Sequence, residues 1–548
     1  MTAPRVLIAD KLSPAAIEVF RSRGVDVDLK PGLAPADLRA IIGGYDGLAI
    51  RSATKVTREV LDAAPRLRVV GRAGIGVDNV DVKSATARGV VVMNTPNGNA
   101  IATAEHAIAM MFALARQIPE ATASTRAGRW EKNRFLGVEL TGKTLALIGC
   151  GNIGAIVANR AVGLHMRVVA YDPFLTEARA VALGVEKVGL PELLARADVI
   201  TLHTPLTDAT RNILSRGALA ACKRGVRIVN CARGGLIDEA ALAEALAGGQ
   251  VAGAALDVFE MEPATSSPLF GFENVVCTPH LGAATSEAQE NVALQVAEQM
   301  ADFLLTGAVS NAINMASVSA EDAPRLRPYM ELCRLLGAFA GQMTAADGGA
   351  LRSVTVEYEG QAAPLNHRPL TAAAVAGLLG PMMAGVNMVN APVIARERGM
   401  DVAETVHDRP GEYQTLVRLT VTSDRPSRSV TSDRASRSAA TDRLTRTVAG
   451  TLFAGASPRL VEIKGIKVEA DFGRHMLYVT NQDRPGFIGR FGATLADAGI
   501  NIATFHLGRA QAGGDAICLV SVDAPVPEPV LAQVRALPLV VQATSLQF

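Results

Sequence analysis

Gly149-Cys150-Gly151-Asn152-Ile153-Gly154 lies directly after the apolar run Leu145 to Ile148 and directly before the helix-like stretch Ala155 to Val162. A strand that feeds a helix through glycines at this spacing narrows the possible folds more than any other feature of the chain. One glycine makes the tight turn, the next lets a pyrophosphate approach the backbone, and the third lets the helix pack against the sheet. Eighteen residues beyond Gly154, the run Val168 to Tyr171 ends in Asp172. A carboxylate there can hold ribose hydroxyls and repels a 2′-phosphate. The order strand, glycines, helix, strand, acid predicts a Rossmann-type sheet that binds NAD rather than NADP through Gly151, Asn152, Ile153, Gly154 and Asp172.

The rest of the chain is read outward from that unit. At 548 residues it is too long for one hydrophobic core. Its 49% hydrophobic residues include only 4% aromatics, beside 50 glycines, a balance that favours βαβ units. Strand-like runs at Val6 to Ala9, Gly47 to Ile50, Val69 to Val70 and Val90 to Met93 predict an earlier, smaller parallel sheet. An apolar helix from Ile101 to Arg116 leads into the dinucleotide unit, and a helical stretch from Ser286 to Leu305 is long enough to cross back. The expected class is α/β: two Rossmann-like or flavodoxin-like parallel-sheet domains, one inserted in the other, then two α+β regulatory domains. The boundaries are 1–98 with 286–314, 99–285, 315–465 and 472–548, with linker composition at 315–328 and a βαβ-like unit closing the chain.

Charge and cysteine usage exclude several classes. Lys plus Arg number 54 against 53 Asp plus Glu, so no global field favours nucleic acid or an anionic membrane. No apolar run approaches the ~18 residues of a spanning helix. The 6 cysteines form no CxxC pair and neither they nor the histidines show metal-ligand spacing, so a cytoplasmic protein without a metal is expected. Within the third unit a nine-residue repeat runs from Thr422 to Val448, marked by Asp424, Asp433 and Asp442. It reads as an enlarged hairpin connection, with a basic arm as the alternative because each copy carries two arginines.

Three segments after the glycine motif carry chemistry. Asn230-Cys231-Ala232-Arg233, Asp257-Val258-Phe259-Glu260-Met261-Glu262-Pro263 and Thr278-Pro279-His280-Leu281-Gly282 each follow a strand-like run, which places them where ligands bind in an open α/β sheet. Arg233 can grip a carboxylate with two parallel hydrogen bonds, His280 can exchange a proton with a carbonyl or hydroxyl oxygen, and Glu262 can hold the imidazole and raise its pKa. The backbone amides of Gly74 to Val77 can receive a carboxylate as an anion nest does.

With these residues in this order, the chain resembles the D-2-hydroxyacid dehydrogenase family. The resemblance implies Arg233 as substrate anchor, Glu262 as partner and His280 as acid/base. It also implies that Thr204, Pro205, Cys231, Ala232, Asp257 and Gly282 border the nicotinamide half of NAD. The segments Ile50 to Lys55, Gly71 to Asn79 and Asn94 to Asn99 are similar to those of the phosphoglycerate dehydrogenase subgroup. That likeness implies 3-phosphoglycerate as substrate, Gly74, Gly76 and Asn99 near it, and Arg51, Arg72 and Lys132 as phosphate ligands. Residues 316–455 resemble an intervening allosteric substrate-binding domain. Met476 to Ile502 is similar to an ACT domain, which implies a homo-oligomer, dimer or tetramer, with L-serine met by Asn481, Asp483 and Asn501. The competing readings are a glyoxylate or hydroxypyruvate reductase and an NAD-sensing corepressor-like protein.

Overall fold

A computed structural model describes residues 3–408, 411–425 and 442–548. The first sheet is wholly parallel, in the order Asp26–Leu29, Arg5–Ile8, Gly47–Ile50, Val69–Arg72, Val91–Asn94. Its interior strands are largely apolar because both faces are covered, while the edge strand Asp26–Leu29 carries two aspartates. Val6 and Ile8 pack into one core and Leu7 and Ala9 into the other, and each such burial contributes roughly 1.5–3 kcal/mol for a full-sized aliphatic side chain. The helix Ser286–Thr306 returns across the first face, setting Val292, Val296 and Met300 against Val69, Val91 and Met93. It comes so close that a Cβ at Gly71 would overlap Met300 and Val296.

The second sheet has seven parallel strands, in the order Glu186–Lys187, Arg167–Tyr171, Thr144–Ile148, Val199–Leu202, Val226–Asn230, Val251–Leu256, Val275–Cys277. The chain starts at Thr144–Ile148 and winds first one way and then the other, which opens a crevice beyond the carboxyl ends of Thr144–Ile148 and Val199–Leu202. The glycine motif leaves the first of these strands and His203-Thr204-Pro205 leaves the second.

The third sheet has six strands and is antiparallel except where Ala350–Gly360 meets Asp401–His407. The helix Ala323–Ala346 begins inside the segment expected to be a linker, with Pro324 in its first turn, where a missing N–H costs nothing. Thr415–Arg425 pairs with Asp442–Phe453, Arg425 opposite Asp442. The repeat therefore joins the arms of a hairpin and lends its ends to them, while 426–441 lie outside the described residues. Arg446, which belongs to the repeat, is buried and ion-paired with Asp347, so that arginine is part of the sheet rather than of an arm.

The last unit is a four-stranded antiparallel sheet, in the order Ile502–Arg509, Asp515–Val522, His475–Gln482, Val540–Gln547, with helices Phe487–Asp497 and Glu528–Ala536. The βαβ-like pattern expected from sequence is thus a βαββαβ unit whose paired strands are antiparallel. Met476, Tyr478 and Leu546 join Phe339 and Met343 in one core, so the third and fourth units are fused through apolar contact. Among the described residues, no helix is long and apolar enough to cross a membrane.

Candidate active site

The crevice of the second sheet is built for a dinucleotide. Gly149 sits at φ +96° and a Cβ on it would overlap the His203 carbonyl, while a Cβ on Gly154 would overlap the carbonyl of Gly149. Gly151 differs, because the direction of its absent side chain meets nothing within 4 Å. That open face lies where the helix Asn152–Gly163 begins, and its free N–H groups and positive end suit a pyrophosphate. Asp172, at the end of the next strand, is fixed by the amides of Cys150 and Phe174, each at 2.8 Å. These residues fit NAD, with Asp172 at the ribose and Ile153 half-buried in the first helical turn.

Towards the nicotinamide end, Asp257 is fully buried. Burial alone would raise its pKa, yet hydrogen bonds hold it below the usual carboxylate range: from His106, from the Thr278 hydroxyl (2.6 Å), and from the amides of Leu281 (2.7 Å) and Gly282 (2.8 Å). The effect is to pin the Thr278–Gly282 segment to the sheet. Cys231 is buried beside it, and its thiol is pushed up, first by burial and then by the Asp257 charge. His106, Cys231 and Asp257 place potential metal-ligand atoms within 4.8 Å of one another; the Asp257 oxygens, however, are already engaged by these donors. Asn230 shapes the neighbouring turn by accepting from the Ala232 amide at 3.0 Å and donating to the Arg233 carbonyl at 2.8 Å.

His280 stands on this pinned segment at φ +55°, a strained position for a residue with a side chain. Its Nδ1 lies 2.7 Å from Glu262 Oε2, and the other Glu262 oxygen accepts from the Phe259 amide at 3.1 Å. An ionised carboxylate only accepts, so Nδ1 donates in this contact, and Nε2 has no hydrogen-bond partner among the described residues.

Across the cleft stands a set of guanidinium groups. Arg72 and Arg233 lie over the glycine-rich turn, where a Cβ at Gly74 would overlap Arg72 and one at Gly76 would overlap Arg233. Gly74 sits at φ +140°, where a side chain would be strained, whereas a Cβ at Gly76 would only push the Arg233 guanidinium aside. The turn is held by Thr95, whose hydroxyl accepts from the Gly74 amide at 2.6 Å, and by Asn94, which donates to the Ile75 carbonyl at 2.6 Å. The Gly74 amide is spent on that contact, leaving those of Ile75, Gly76 and Val77 without an acceptor among the described residues. Arg72 has a buried Nε with no partner. Its pKa is pulled down to about 10, first by burial and then by the Arg233 charge, with a smaller contribution from Arg51. The Arg51 backbone is fixed by Asp10 (2.6 Å to its amide) and Asn79 (2.7 Å from its carbonyl). Unpaired donors and crowded cations in one place call for an anion. Asn99 is buried nearby in sequence, its Oδ1 also without a partner.

Other predicted site residues are exposed or already engaged within the chain. Lys132 is exposed on the turn Lys132–Arg134, which Arg134 ties to Glu273 at 2.7 Å. In the last unit, Asn481 is buried and donates to the Gln482 carbonyl, Asp483 accepts from Arg509 at 2.9 Å and from the Gly513 amide at 3.1 Å, and Asn501 donates to Asp523 at 2.8 Å. The hydrogen bond from Arg509 is the first cause holding the Asp483 carboxyl low. Sequence reasoning passed over Asp78, whose Oδ2 accepts from Arg233 Nε at 3.0 Å, and over His106 and Thr278, which orient Asp257. Asp78 stood in the quoted glycine-rich segment, but a contact over 155 residues leaves no local signal.

Comparison with known proteins agrees with this layout. Residues 108–282 match the NAD binding domain of D-isomer specific 2-hydroxyacid dehydrogenases, 325–439 the D-3-phosphoglycerate dehydrogenase intervening domain, and 475–539 the ACT domain. The chain is 40% identical over 535 residues to a D-3-phosphoglycerate dehydrogenase of Synechocystis, covering 97% of this chain and 93% of the relative. It is 40% identical over 536 residues to the Bacillus subtilis protein of that name, covering 97% and 98%. Among solved structures, a glyoxylate reductase from Paecilomyes thermophila is 31% identical with a TM-score of 0.54, covering 57% of this chain and 99% of that one. An NADPH-dependent glyoxylate/hydroxypyruvate reductase from Sinorhizobium meliloti is 29% identical with a TM-score of 0.51, covering 57% and 96%.

Proposed function

We propose a catalytic arrangement that starts from one premise: this chain belongs to the D-3-phosphoglycerate dehydrogenases, and so oxidises 3-phosphoglycerate to 3-phosphohydroxypyruvate, the step that opens phosphorylated serine synthesis. The reductase reading accounts for only the first half of the molecule, since those structures cover 57% of the chain. The corepressor-like reading gives no use to the His280–Glu262 pair.

In this arrangement Arg233 grips the substrate carboxylate together with the free amides of Ile75 to Val77. Arg72 and Arg51 take the phosphate, and Asn99 completes that wall. His280 Nε2 accepts the proton of the C2 hydroxyl as that oxygen becomes a carbonyl, and Glu262 balances the charge that forms on the ring. NAD, held by Gly151 to Gly154, Asp172, Thr204, Pro205, Cys231, Ala232, Asp257 and Gly282, supplies the hydride acceptor. Reduction of the product runs through the same residues in reverse.

The observation that carries the phosphate reading is Arg72, crowded by other cations and with its buried Nε unpartnered. Arg72→Gln should raise KM for 3-phosphoglycerate by roughly 10- to 100-fold, the scale of a charge-assisted hydrogen bond. It should change KM for unphosphorylated glycerate far less. Equal effects on the two substrates would move the phosphate away from Arg72.

The ACT domain points to an amino-acid effector, and L-serine, the end product of the route, fits that role. Asp483 donates its amide to the Gly514 carbonyl at one end of the strand Asp515–Val522, while Asn501 accepts from the Asp523 amide at the other. Eight strand residues span about 27 Å, so a serine held by both Asp483 and Asn501, with Asn481 behind, must lie between two copies of the chain. The exposed apolar side chains Ile101, Phe112, Ile118, Trp130 and Leu136, all within one stretch of sequence, are suited to that self-association. The 6 free cysteines fit a reducing cytoplasm.

A further inference from the structure

We propose that Asp78 is a placeholder for the substrate carboxylate on Arg233. The inference rests on the reading of Arg233 as substrate anchor and extends it to a residue with which the substrate must compete. Asp78 precedes Asn79 on the loop leaving the glycine-rich turn of the first sheet, whereas Arg233 leaves the second sheet, so their 3.0 Å ion pair bridges the cleft. The Asp78 side chain is 70% exposed against 28% for Arg233, and among the described residues it accepts no other hydrogen bond.

Asp10, the other carboxylate close to these arginines, is quite different. It is buried and spends its oxygens on the amides of Arg51 and Thr54 and on the Thr54 hydroxyl. Asp10 therefore builds the loop, and Asp78 holds nothing but Arg233. An exposed pair of this kind is weak. Arg233 Nη1 is held by the Ala232 carbonyl at 2.6 Å, so a substrate carboxylate would take the Nε and Nη2 edge in place of Asp78. It offers more than Asp78 because it pairs with both nitrogens and also receives the free amides of Ile75, Gly76 and Val77.

The exchange has two consequences. In the free enzyme Asp78 keeps Arg233 over Gly76, where the substrate will meet it, and so limits the reorganisation needed on binding. Once displaced, the Asp78 carboxylate remains beside a bound polyanion and weakens its hold, so product leaves faster. Asp78 is a positioning residue whose cost is affinity.

The test is a double-mutant cycle on the full-length enzyme: wild type, Asp78→Asn, Arg233→Gln and the double variant. The readouts are Kd for 3-phosphoglycerate by calorimetry and the separate values of KM and kcat, with Asp78→Glu as the conservative control. Asp78→Asn should lower Kd and KM by roughly 3- to 10-fold, the size expected for removing one charge a few ångströms from an anion near the surface. Asp78→Glu should stay close to wild type, and most of the gain should vanish in the Arg233→Gln background. An unchanged or raised KM in Asp78→Asn overturns the proposal, as does an equal gain with and without Arg233, which is a background field rather than an exchange. If Arg233→Gln alone leaves Kd unchanged, the anchor reading itself fails and the placeholder falls with it.

Discussion

The cleft between the first two sheets and the terminal ACT unit both gather polar residues, but they leave them in opposite states. In the cleft, Arg72 keeps a buried Nε without a partner, the amides of Ile75 to Val77 are free and His280 presents a bare Nε2. In the ACT unit, Asp483 is taken by Arg509 and Gly513, Asn501 by Asp523, and Asn481 is buried against its neighbour. Unmet hydrogen-bonding capacity is costly and persists where a ligand will meet it. On the proposed assignment, the catalytic groups therefore stand ready within one chain. The proposed effector residues are internally satisfied in the single chain, so on that reading an effector would compete for their groups or find them across a second copy.

The sharpest way to break this contrast is to remove the bare nitrogen. His280→Asn should cut kcat by roughly 10² to 10⁴ fold, the usual loss for a general acid/base, while NADH binding followed by fluorescence titration changes little. Near-normal turnover would mean that the free Nε2 is incidental. Glu262→Gln should do less, lowering kcat about tenfold. The amide still meets the ring, but it no longer balances the charge formed as the proton arrives. A loss as large as that of His280→Asn would show that Glu262 orients the ring rather than tuning it. The smallest effect belongs to the satisfied region: Asp483→Ala should raise the serine concentration for half-inhibition several-fold, on the order of one hydrogen bond to a charged group. Inhibition curves that superimpose would place the effector elsewhere.

The two regions also differ in how much of them sequence reveals. The positions of the glycine motif, Asp172, Arg233, Glu262 and His280 after strand ends were readable because βαβ geometry turns chain order into position. The return of Ser286–Thr306 onto the first sheet followed from its length and apolar pattern. What stayed hidden depends on contacts that no local pattern encodes. The Asp78–Arg233 pair spans 155 residues. The Phe339–Tyr478 contact, ring centroids 5.7 Å apart, joins two units whose sequences read as separate. Asp483 reads as a free ligand until Arg509, 26 residues on, closes over it. The start of Ala323–Ala346 was masked by the prolines and charges that made 315–328 read as linker, although Pro at a helix N-terminus is also a start signal.

Substrate discrimination tests the central claim most directly. With NADH, the purified full-length enzyme is assayed on 3-phosphohydroxypyruvate, hydroxypyruvate and glyoxylate under identical conditions, and kcat/KM is compared. The unpartnered buried Nε of Arg72 and a guanidinium cluster suited to a second anion predict a preference for the phosphorylated substrate of at least about 10²-fold, since a site left with unpaired buried polar groups rejects the analogue that lacks their partner. Equal or higher kcat/KM for hydroxypyruvate or glyoxylate would contradict the assignment of the cleft to 3-phosphoglycerate.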